Sequence, residues 1–227
     1  MNLNSLCGAV LALDDGIDTF GAGVTLPPIK AAYEYVLAGN GLFIRAEDSR
    51  LEAMVPIDPV ELHGLANVEP YARLKISKIP GRYLWAVYRN ALGYLPNERM
   101  FIFEWTQHDY MRDLWHWSCI APRQEAGPGF IRYADRPAPV VDLHSHGALM
   151  PFFSQTDNDD EQGLRFFVVI GYIGFNIQPA IQCRVGVYGH FWPVPAATIF
   201  DGRGPFIESF AEAATSSLEI IYEESTN

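Results

Sequence analysis

Between residues 31 and 55 the pattern of apolar and polar residues is that of extended segments, with a period of two. Residues 32–37 and 42–45 are short extended segments separated by Gly39-Asn40-Gly41, and a third such segment covers 51–55. Alternation interrupted by a glycine-rich turn is typical of a β-hairpin. The pattern therefore predicts a hairpin followed by one further strand.

The hydrophobic period changes after residue 75. Residues 56–70 contain three prolines, and beyond Pro80-Gly81 the apolar residues recur about every four positions. Because proline interrupts regular elements, this stretch predicts a boundary. We therefore divide the chain into a small β-rich N-terminal extension, residues 1–75, and a second unit, residues 76–227.

The second unit mixes helical and extended patterns. Apolar residues at helical spacing predict a helix over 82–95 that stops at Pro96, and residues 205–217 predict a final helix. Short apolar runs predict five strands, at 100–105, 114–120, 139–143, 166–172 and 182–188. The proline- and glycine-rich segment 122–128 is expected to be a loop. Without a regular βαβ rhythm, we expect an α+β fold with a mixed sheet.

Composition and charge narrow the possible partners. The 227 residues are 49% hydrophobic and carry a net charge of −11, which disfavours binding to nucleic acid or to an anionic membrane. The three cysteines are widely spaced and odd in number, as is typical of a reducing compartment. The first residues lack the basic segment of a secretory signal. We therefore expect a soluble, cytoplasmic protein.

The residues with the clearest chemistry lie between 142 and 157. His144 and His146 are two apart at the end of an apolar strand, so strand alternation directs both imidazoles to one face. Asp157 follows eleven residues later and can add a carboxylate. Two nitrogens, one oxygen and a vacant fourth position describe a catalytic zinc site. Asp142 shares the face of His144, either as a hydrogen-bond acceptor for an imidazole or as a carboxylate at the surface.

Each part of this pattern also has a purely structural interpretation. Ser154 and Asp157 have the spacing of a helix capping box, and His-x-His pairs often make hydrogen bonds inside a core. The full spacing, His-x-His-x7-Ser-x2-Asp, is expected by composition alone in roughly one of a few thousand such chains. The combination therefore favours a metal site over chance.

With these residues, the sequence resembles the JAMM metallopeptidase family, also called the MPN or JAB-domain family. The family signature is an upstream Glu followed by His-x-His-x7-Ser-x2-Asp, and this chain matches every downstream position. Glu98, which follows the predicted helix and leads into a strand, fits the upstream position. Glu104, six residues further along that strand, is the competing candidate. The resemblance covers about residues 76–200 and implies a JAB-like mixed sheet flanked by helices.

The resemblance implies a role for each residue. His144, His146 and Asp157 would hold Zn²⁺, which makes a water molecule more acidic and polarises a carbonyl. Glu98 would accept the proton of the water and return it to the leaving amine. Ser154 would donate a hydrogen bond to the tetrahedral oxyanion.

The same resemblance implies a zinc-dependent isopeptidase or peptidase that cleaves after the C-terminal tail of a ubiquitin-like protein. Within bacteria the chain resembles JAB proteins encoded beside ubiquitin-like modifiers and E1-like activating enzymes. These include the PRTRC system protein A family and the deconjugases of antiphage operons. The expected partners are a ubiquitin-like protein or its conjugates, together with an E1-like enzyme encoded nearby.

Three rival functions remain to be weighed. A non-catalytic MPN scaffold would bind a partner within a larger assembly, but such relatives typically lack ligands or the Glu that this chain retains. An amidohydrolase needs a barrel of about 250 residues, longer than this chain. A serine hydrolase built on Ser145 or Ser154 would lack the Gly-x-Ser-x-Gly elbow. The sequence therefore favours the metallopeptidase.

Overall fold

The computed structural model describes residues 10–12, 26–107, 114–133 and 139–209. Within these ranges the chain forms one five-stranded sheet, one seven-stranded mixed sheet, two small two-stranded sheets and three helices. This architecture confirms the predicted α+β class with a mixed sheet.

The five-stranded sheet contains the N-terminal strands in chain order. They are β1 (Val10–Ala12), β2 (Glu34–Ala38), β3 (Gly41–Glu47), β4 (Leu51–Asp58) and β5 (Tyr71–Leu74). β1 runs parallel to β2, and the other neighbours are antiparallel. The predicted hairpin and third strand are confirmed by β2, β3 and β4, whereas β5 falls in a stretch for which we predicted no strand.

The seven-stranded sheet carries most of the remaining chain. Its members are β7 (Met100–Gln107), β8 (Trp115–Ile120), β11 (Val141–Ser145), β12 (Leu164–Gly171), β13 (Ala180–Val187), β14 (His190–Pro193) and β16 (Ile207–Glu208). The order is β14-β13-β12-β11-β7-β8, and β16 pairs with β13. Two pairs are parallel, β11 with β12 and β13 with β16, and the others are antiparallel. The five strands predicted in this unit are confirmed to within a few residues.

The three helices are short. They are α1 (Arg82–Gly93), α2 (Gln155–Asp160) and α3 (Ala196–Ile199). α1 buries Leu84, Val87 and Ala91, which lie three and four positions apart and so form one apolar stripe. None of the described helices has the length and hydrophobicity needed to cross a membrane.

Two small sheets complete the fold. β9 (Gln124–Gly127) and β10 (Phe130–Tyr133) form an antiparallel hairpin, and β6 (Ile79–Pro80) pairs with β15 (Phe200–Asp201). The prediction of a loop over 122–128 was therefore wrong. Gln124 explains the difference, because its side chain accepts a hydrogen bond from Met100 N and donates one to Met100 O, which fixes the hairpin beside β7.

The start of the predicted C-terminal helix is also extended. Ile207 and Glu208 form β16 and pair with Ala180 and Ile181 of β13, so the helix prediction is wrong for residues 205–209. The backbone hydrogen bonds that a helix would satisfy locally are satisfied here by the edge of the sheet. Residues 210–217 of that prediction lie outside the described residues.

The main hydrophobic core lies on one face of the seven-stranded sheet. Phe103, Leu143 and Val168 point into it, and α1 covers it together with one face of the five-stranded sheet, which contributes Ile44 and Val55. The other face of the five-stranded sheet has a small hydrophobic cluster of its own. Its buried members are Val36, Ala38, Phe43, Met54 and Val68. The N-terminal strands thus form a separate sheet that shares a core with the second unit. The division at residue 75 stays a prediction.

The opposite face of the seven-stranded sheet is polar at its centre. Residues alternate along each strand, so Asp142 and His144 of β11 lie on the face away from Leu143. Phe167 of β12 and Arg184 of β13 continue the same row from Asp142 across the sheet. This face positions the groups described next.

Candidate metal centre

Both predicted histidines lie at the end of β11. His144 is on the polar face, and His146 follows Ser145, the last residue of the strand; both are buried, with exposed fractions of 7% and 8%. His146 N still donates to Ile170 O of β12 at 2.8 Å, so the backbone remains extended up to this residue. Gly147, with φ of 55°, then turns the chain away. The two imidazoles consequently share one face, as their spacing predicts.

Asp157 reaches the same place from α2. Ser154 caps this helix: its hydroxyl accepts from Asp157 N at 3.2 Å, while Ser154 N donates to Asp157 Oδ2 at 2.6 Å. The Ser154 hydroxyl also donates to Asp157 Oδ2, at 2.7 Å. The other carboxylate oxygen, Oδ1, lies 3.5 Å from His144 Nε2. The capping interpretation and the ligand interpretation of Ser-x-x-Asp are therefore compatible, because each uses a different oxygen of Asp157.

The three side chains converge on a space of the size of a metal ion. The two Nε2 atoms of His144 and His146 are 3.1 Å apart, and the ligand atoms of His144, His146 and Asp157 all lie within 4.8 Å of one another. Ligands about 2.0–2.1 Å from a tetrahedral zinc ion are about 3.3 Å from each other. Among the residues described in this structure, no other group of three such side chains meets this condition. Two imidazoles and a carboxylate are a donor set suited to Zn²⁺ with one open position.

The protonation of the imidazoles favours ligation. His146 Nδ1 is 3.2 Å from Met150 O, and a carbonyl can only accept, so Nδ1 carries the proton and the Nε2 lone pair is available. Burial lowers the pKa of His144 to about 4, although the charge of Asp157 acts in the opposite direction. Burial also lowers the pKa of His146. Both rings are therefore neutral at pH 7, as metal ligands must be.

Glu98 lines the same cleft as the three ligands. It lies two residues before β7 and is 6% exposed, and its backbone N–H donates to Gly127 O of the β9–β10 hairpin. Burial, reinforced by the charge of Asp157, raises the pKa of Glu98 to about 7. A carboxyl group with a pKa near neutrality suits proton transfer at pH 7.

Glu104, the competing candidate, is four residues further along than Met100, the residue of β7 that pairs with His144. It pairs with Ser118 of β8 and does not line the cleft. At about 3.4 Å per residue in an antiparallel strand, Glu104 lies more than 10 Å along β7 from Met100. The geometry therefore favours Glu98, and the catalytic role of Glu98 stays a prediction.

The cleft around these groups has a volume of about 480 Å³. One wall is the β9–β10 hairpin, with Phe130 and Tyr133, and another is the segment that contains Leu149 and Phe152. These four apolar side chains are at least 37% exposed. The Phe152 ring also contacts the His146 imidazole edge-to-face, with 4.6 Å between ring centroids. A polar floor with apolar walls is typical of a site that binds an organic ligand.

Two charged residues beside the ligands make contacts that the sequence did not reveal. Asp142, for which two roles were open, is 5% exposed and accepts a 2.8 Å hydrogen bond from Arg165 Nη1, so it is not a surface carboxylate, and its role as an acceptor for an imidazole stays a prediction. Arg184 of β13 binds Glu161 and Asn158 beside α2. The signal for Arg184 was a charged residue within strand 180–187, in which Gln182 is the one other polar side chain.

Ser145 and the described histidines outside the His-x-His motif do not line the cleft. Ser145 is fully buried and accepts a hydrogen bond from Arg99 N at 2.9 Å, which argues against a nucleophile at this position. His116 lies on β8, and His190 on β14 is 6.4 Å from Tyr35, measured between ring centroids. Both imidazoles are outside the cleft lining. His108 lies outside the described residues.

The comparisons with known proteins agree with this geometry. Residues 85–183 match the family described as prokaryotic homologues of the JAB domain, and the matched segment contains Glu98, His144, His146, Ser154 and Asp157. A search of curated proteins found no match. Residues 85–183 therefore confirm, for that segment, the resemblance to the JAB-domain family that the signature predicts.

Proposed function

We propose that this protein is a zinc-dependent peptidase or isopeptidase that cleaves after the C-terminal tail of a ubiquitin-like protein, in deconjugation or precursor processing. The observation that carries the proposal is the convergence of His144, His146 and Asp157 within 4.8 Å in a cleft that also contains Glu98. Family members can lack some of these groups, and this chain has all of them.

The proposed chemistry assigns each side chain a task. A zinc ion held by His144, His146 and Asp157 would act as a Lewis acid, polarising a carbonyl and making a water molecule more acidic. Glu98, which lines the same cleft, would take a proton from water and deliver it to the leaving amine.

The hydroxyl group of Ser154 would donate a hydrogen bond to the developing oxyanion. The hydroxyl hydrogen now points to Asp157 Oδ2, which also accepts from Ser154 N. The hydroxyl can therefore rotate toward a substrate while the backbone donor continues to hold Asp157. We therefore expect the Ser154 hydroxyl to bond Asp157 in the free protein and the substrate during turnover.

The hairpin offers a place for an extended tail. β10 pairs with β9 along one edge, and within the described ranges its other edge has no paired strand. Residues 130–133 of β10 line the cleft, so a tail added along this edge would run beside the metal ligands. Such main-chain pairing would suit a substrate recognised by an extended C-terminal segment.

The proposal extends to partners. A ubiquitin-like protein or its conjugates would be the substrate, and an E1-like activating enzyme encoded nearby would be a further partner. A relationship to the PRTRC system protein A family or to antiphage deconjugases belongs to this same proposal, as does a cytoplasmic location. Neighbouring genes for a ubiquitin-like protein and an E1-like enzyme would support it.

The second candidate function is a non-catalytic scaffold that binds a partner through the same cleft. Three potential ligands that converge within 4.8 Å, with the buried Glu98 carboxyl in the same cleft, have no use in such a scaffold. This observation favours the enzyme.

The test is an assay with a ubiquitin-like protein that carries a C-terminal fusion. We expect Glu98→Ala to reduce turnover by about 100-fold or more while keeping zinc, the scale of proton-transfer catalysis. His146→Ala should lose both zinc and cleavage, and Glu104→Ala is the matched control on the adjoining strand. Cleavage by Glu98→Ala at the wild-type rate would contradict the mechanism, and partner binding without cleavage by the wild type would favour the scaffold.

A further inference from the structure

The helix that carries the aspartate ligand has little to hold it in place. α2 contains six residues, and none of them is buried. A helix of this length is unstable by itself, and helices in proteins are usually fixed by an apolar face packed on the core. The position of Asp157 must therefore depend on contacts other than hydrophobic packing of α2.

Arg184 supplies such contacts from the sheet below. It projects from β13 and is 6% exposed. Its Nη1 donates to Asn158 Oδ1 at 2.6 Å, and its Nε donates to Glu161 Oε2 at 2.9 Å, with a second bond from Nη2 to the same oxygen. Asn158 directly follows the ligand Asp157, and Glu161 is the residue that ends the helix. One guanidinium thus fixes the second half of α2.

The same guanidinium is held by aromatic rings. Its Cζ atom lies 3.9 Å from the centre of the Phe153 ring and 3.8 Å from that of Phe191 on β14. Phe153 immediately precedes Ser154, the N-terminal cap of α2. Arg184 therefore contacts the chain both before and after the helix, and the planar, forked guanidinium suits this combination of stacking and paired hydrogen bonds.

We infer that Arg184 is a positioning residue for the metal centre: through Asn158, Glu161 and Phe153 it sets the place of α2, and thereby of the Asp157 carboxylate beside His144. The inference rests on the proposed metal site. It assigns Arg184 no contact with metal or substrate, so its effect reaches the site only through Asp157.

The sign of the effect separates positioning from simple electrostatics. A positive charge near a cation site disfavours the cation, so through its field alone, removal of Arg184 would tighten zinc binding. Loss of positioning predicts the opposite, weaker binding. Substitution of groups that orient metal ligands typically costs 10–100-fold in metal affinity.

The experiment measures zinc affinity by competition with a chelator for the full-length wild type, Arg184→Met and Arg184→Lys. The matched control is Arg45→Met in the five-stranded sheet, because Arg45 is also a buried arginine in an ion pair, with Glu34. Thermal unfolding of the metal-free proteins measures how much stability each variant loses because a buried ion pair is removed. The visible absorption of bound Co²⁺ reports the ligand geometry, which a merely structural role would leave unchanged.

We expect Arg184→Met to bind zinc at least 10-fold more weakly than Arg45→Met and to change the Co²⁺ spectrum, with Arg184→Lys in between because it keeps the charge without the fork. Equal or tighter zinc binding by Arg184→Met would overturn the inference. If Arg184→Met does not fold, Asn158→Ala removes one of the contacts and should weaken binding about threefold to fivefold; no change would overturn the inference. A wild type that binds no zinc would instead contradict the proposed function.

Discussion

Each of the two large sheets contributes a buried arginine that pairs with a glutamate, and the two pairs differ in what they connect. In the five-stranded sheet, Arg45 and Glu34 face each other directly across β2 and β3, with 2.6 Å between Nη2 and Oε2. In the seven-stranded sheet, Arg184 leaves β13 to meet Glu161 at the end of α2. The first pair joins two neighbouring strands and also bonds Pro27 O and Lys30 N, just before β2, whereas the second joins a strand to a helix.

The surroundings of the pairs sharpen the contrast. All but two of the buried polar and charged side chains among the described residues lie in or beside the seven-stranded sheet, and the two exceptions are Arg45 and Glu34. Burying such groups costs free energy unless they are paired. Four of them, Glu98, Asp142, His144 and His146, line the cleft of the proposed metal site, whereas the described N-terminal strands bury only the Arg45–Glu34 pair.

The largest change in stability is expected from truncating a side chain in the core that the two sheets share, and it tests whether the sheets are distinct units. Ile44 is fully buried in the common core, whereas Phe43, its neighbour on β3, lies in the smaller cluster of the five-stranded sheet. We expect Ile44→Ala to cost about 2–5 kcal/mol of unfolding free energy and to speed amide hydrogen exchange in both sheets.

Phe43→Ala is the control for that prediction. It also truncates a buried apolar side chain of β3, and the faster exchange should be confined to the five-stranded sheet. Unchanged exchange in the seven-stranded sheet of Ile44→Ala would show that the two sheets unfold independently, as a domain boundary near residue 75 predicts.

A smaller effect is expected in the pH dependence of stability, where two buried glutamates should act with opposite signs. Burial raises the pKa of Glu98 to about 7, so in the metal-free protein its ionisation reduces stability as pH rises from about 4.5 to 7. Burial alone would also raise the pKa of Glu34, but hydrogen bonds from Lys30 N and Arg45 lower it overall. Ionised Glu34 therefore contributes stability above its ordinary pKa, which is lost as pH falls through its lowered value.

Chemical denaturation of the metal-free protein at pH 5 and pH 8 checks both signs. Glu98→Gln should stabilise the protein at pH 8 by about 1–3 kcal/mol and much less at pH 5. Glu34→Gln should destabilise it at both values, because Arg45 loses its charged partner. A Glu98→Gln variant that is less stable than the wild type at pH 8 would refute the unfavourable environment assigned to this carboxyl group.

The sequence predicted those parts of the fold and of the site whose conformation is set by residues close together in the chain. The helix expected at 82–95 is α1, Arg82–Gly93, because its apolar spacing and Pro96 are local signals. The spacing of His144, His146 and Asp157 also sufficed, since one strand and one capped helix bring them together.

Features set by distant contacts were missed. The β9–β10 hairpin has no clear apolar alternation and is fixed by the contacts of Gln124 with Met100. The extended backbone at Ile207 depends on the edge of β13. Arg184 meets Asn158 from 26 residues away, so nothing in the sequence near α2 indicates that contact.

The most direct test of the central claim is the metal content of the protein purified without chelator. Elemental analysis should find one zinc per chain in the wild type and in His190→Ala, whose imidazole lies on β14 outside the cleft. His144→Ala should contain almost none, because it retains only two of the three ligands. A wild type without transition metal that also fails to bind added zinc, or a His144→Ala variant with a full zinc equivalent, would contradict the metal centre proposed here.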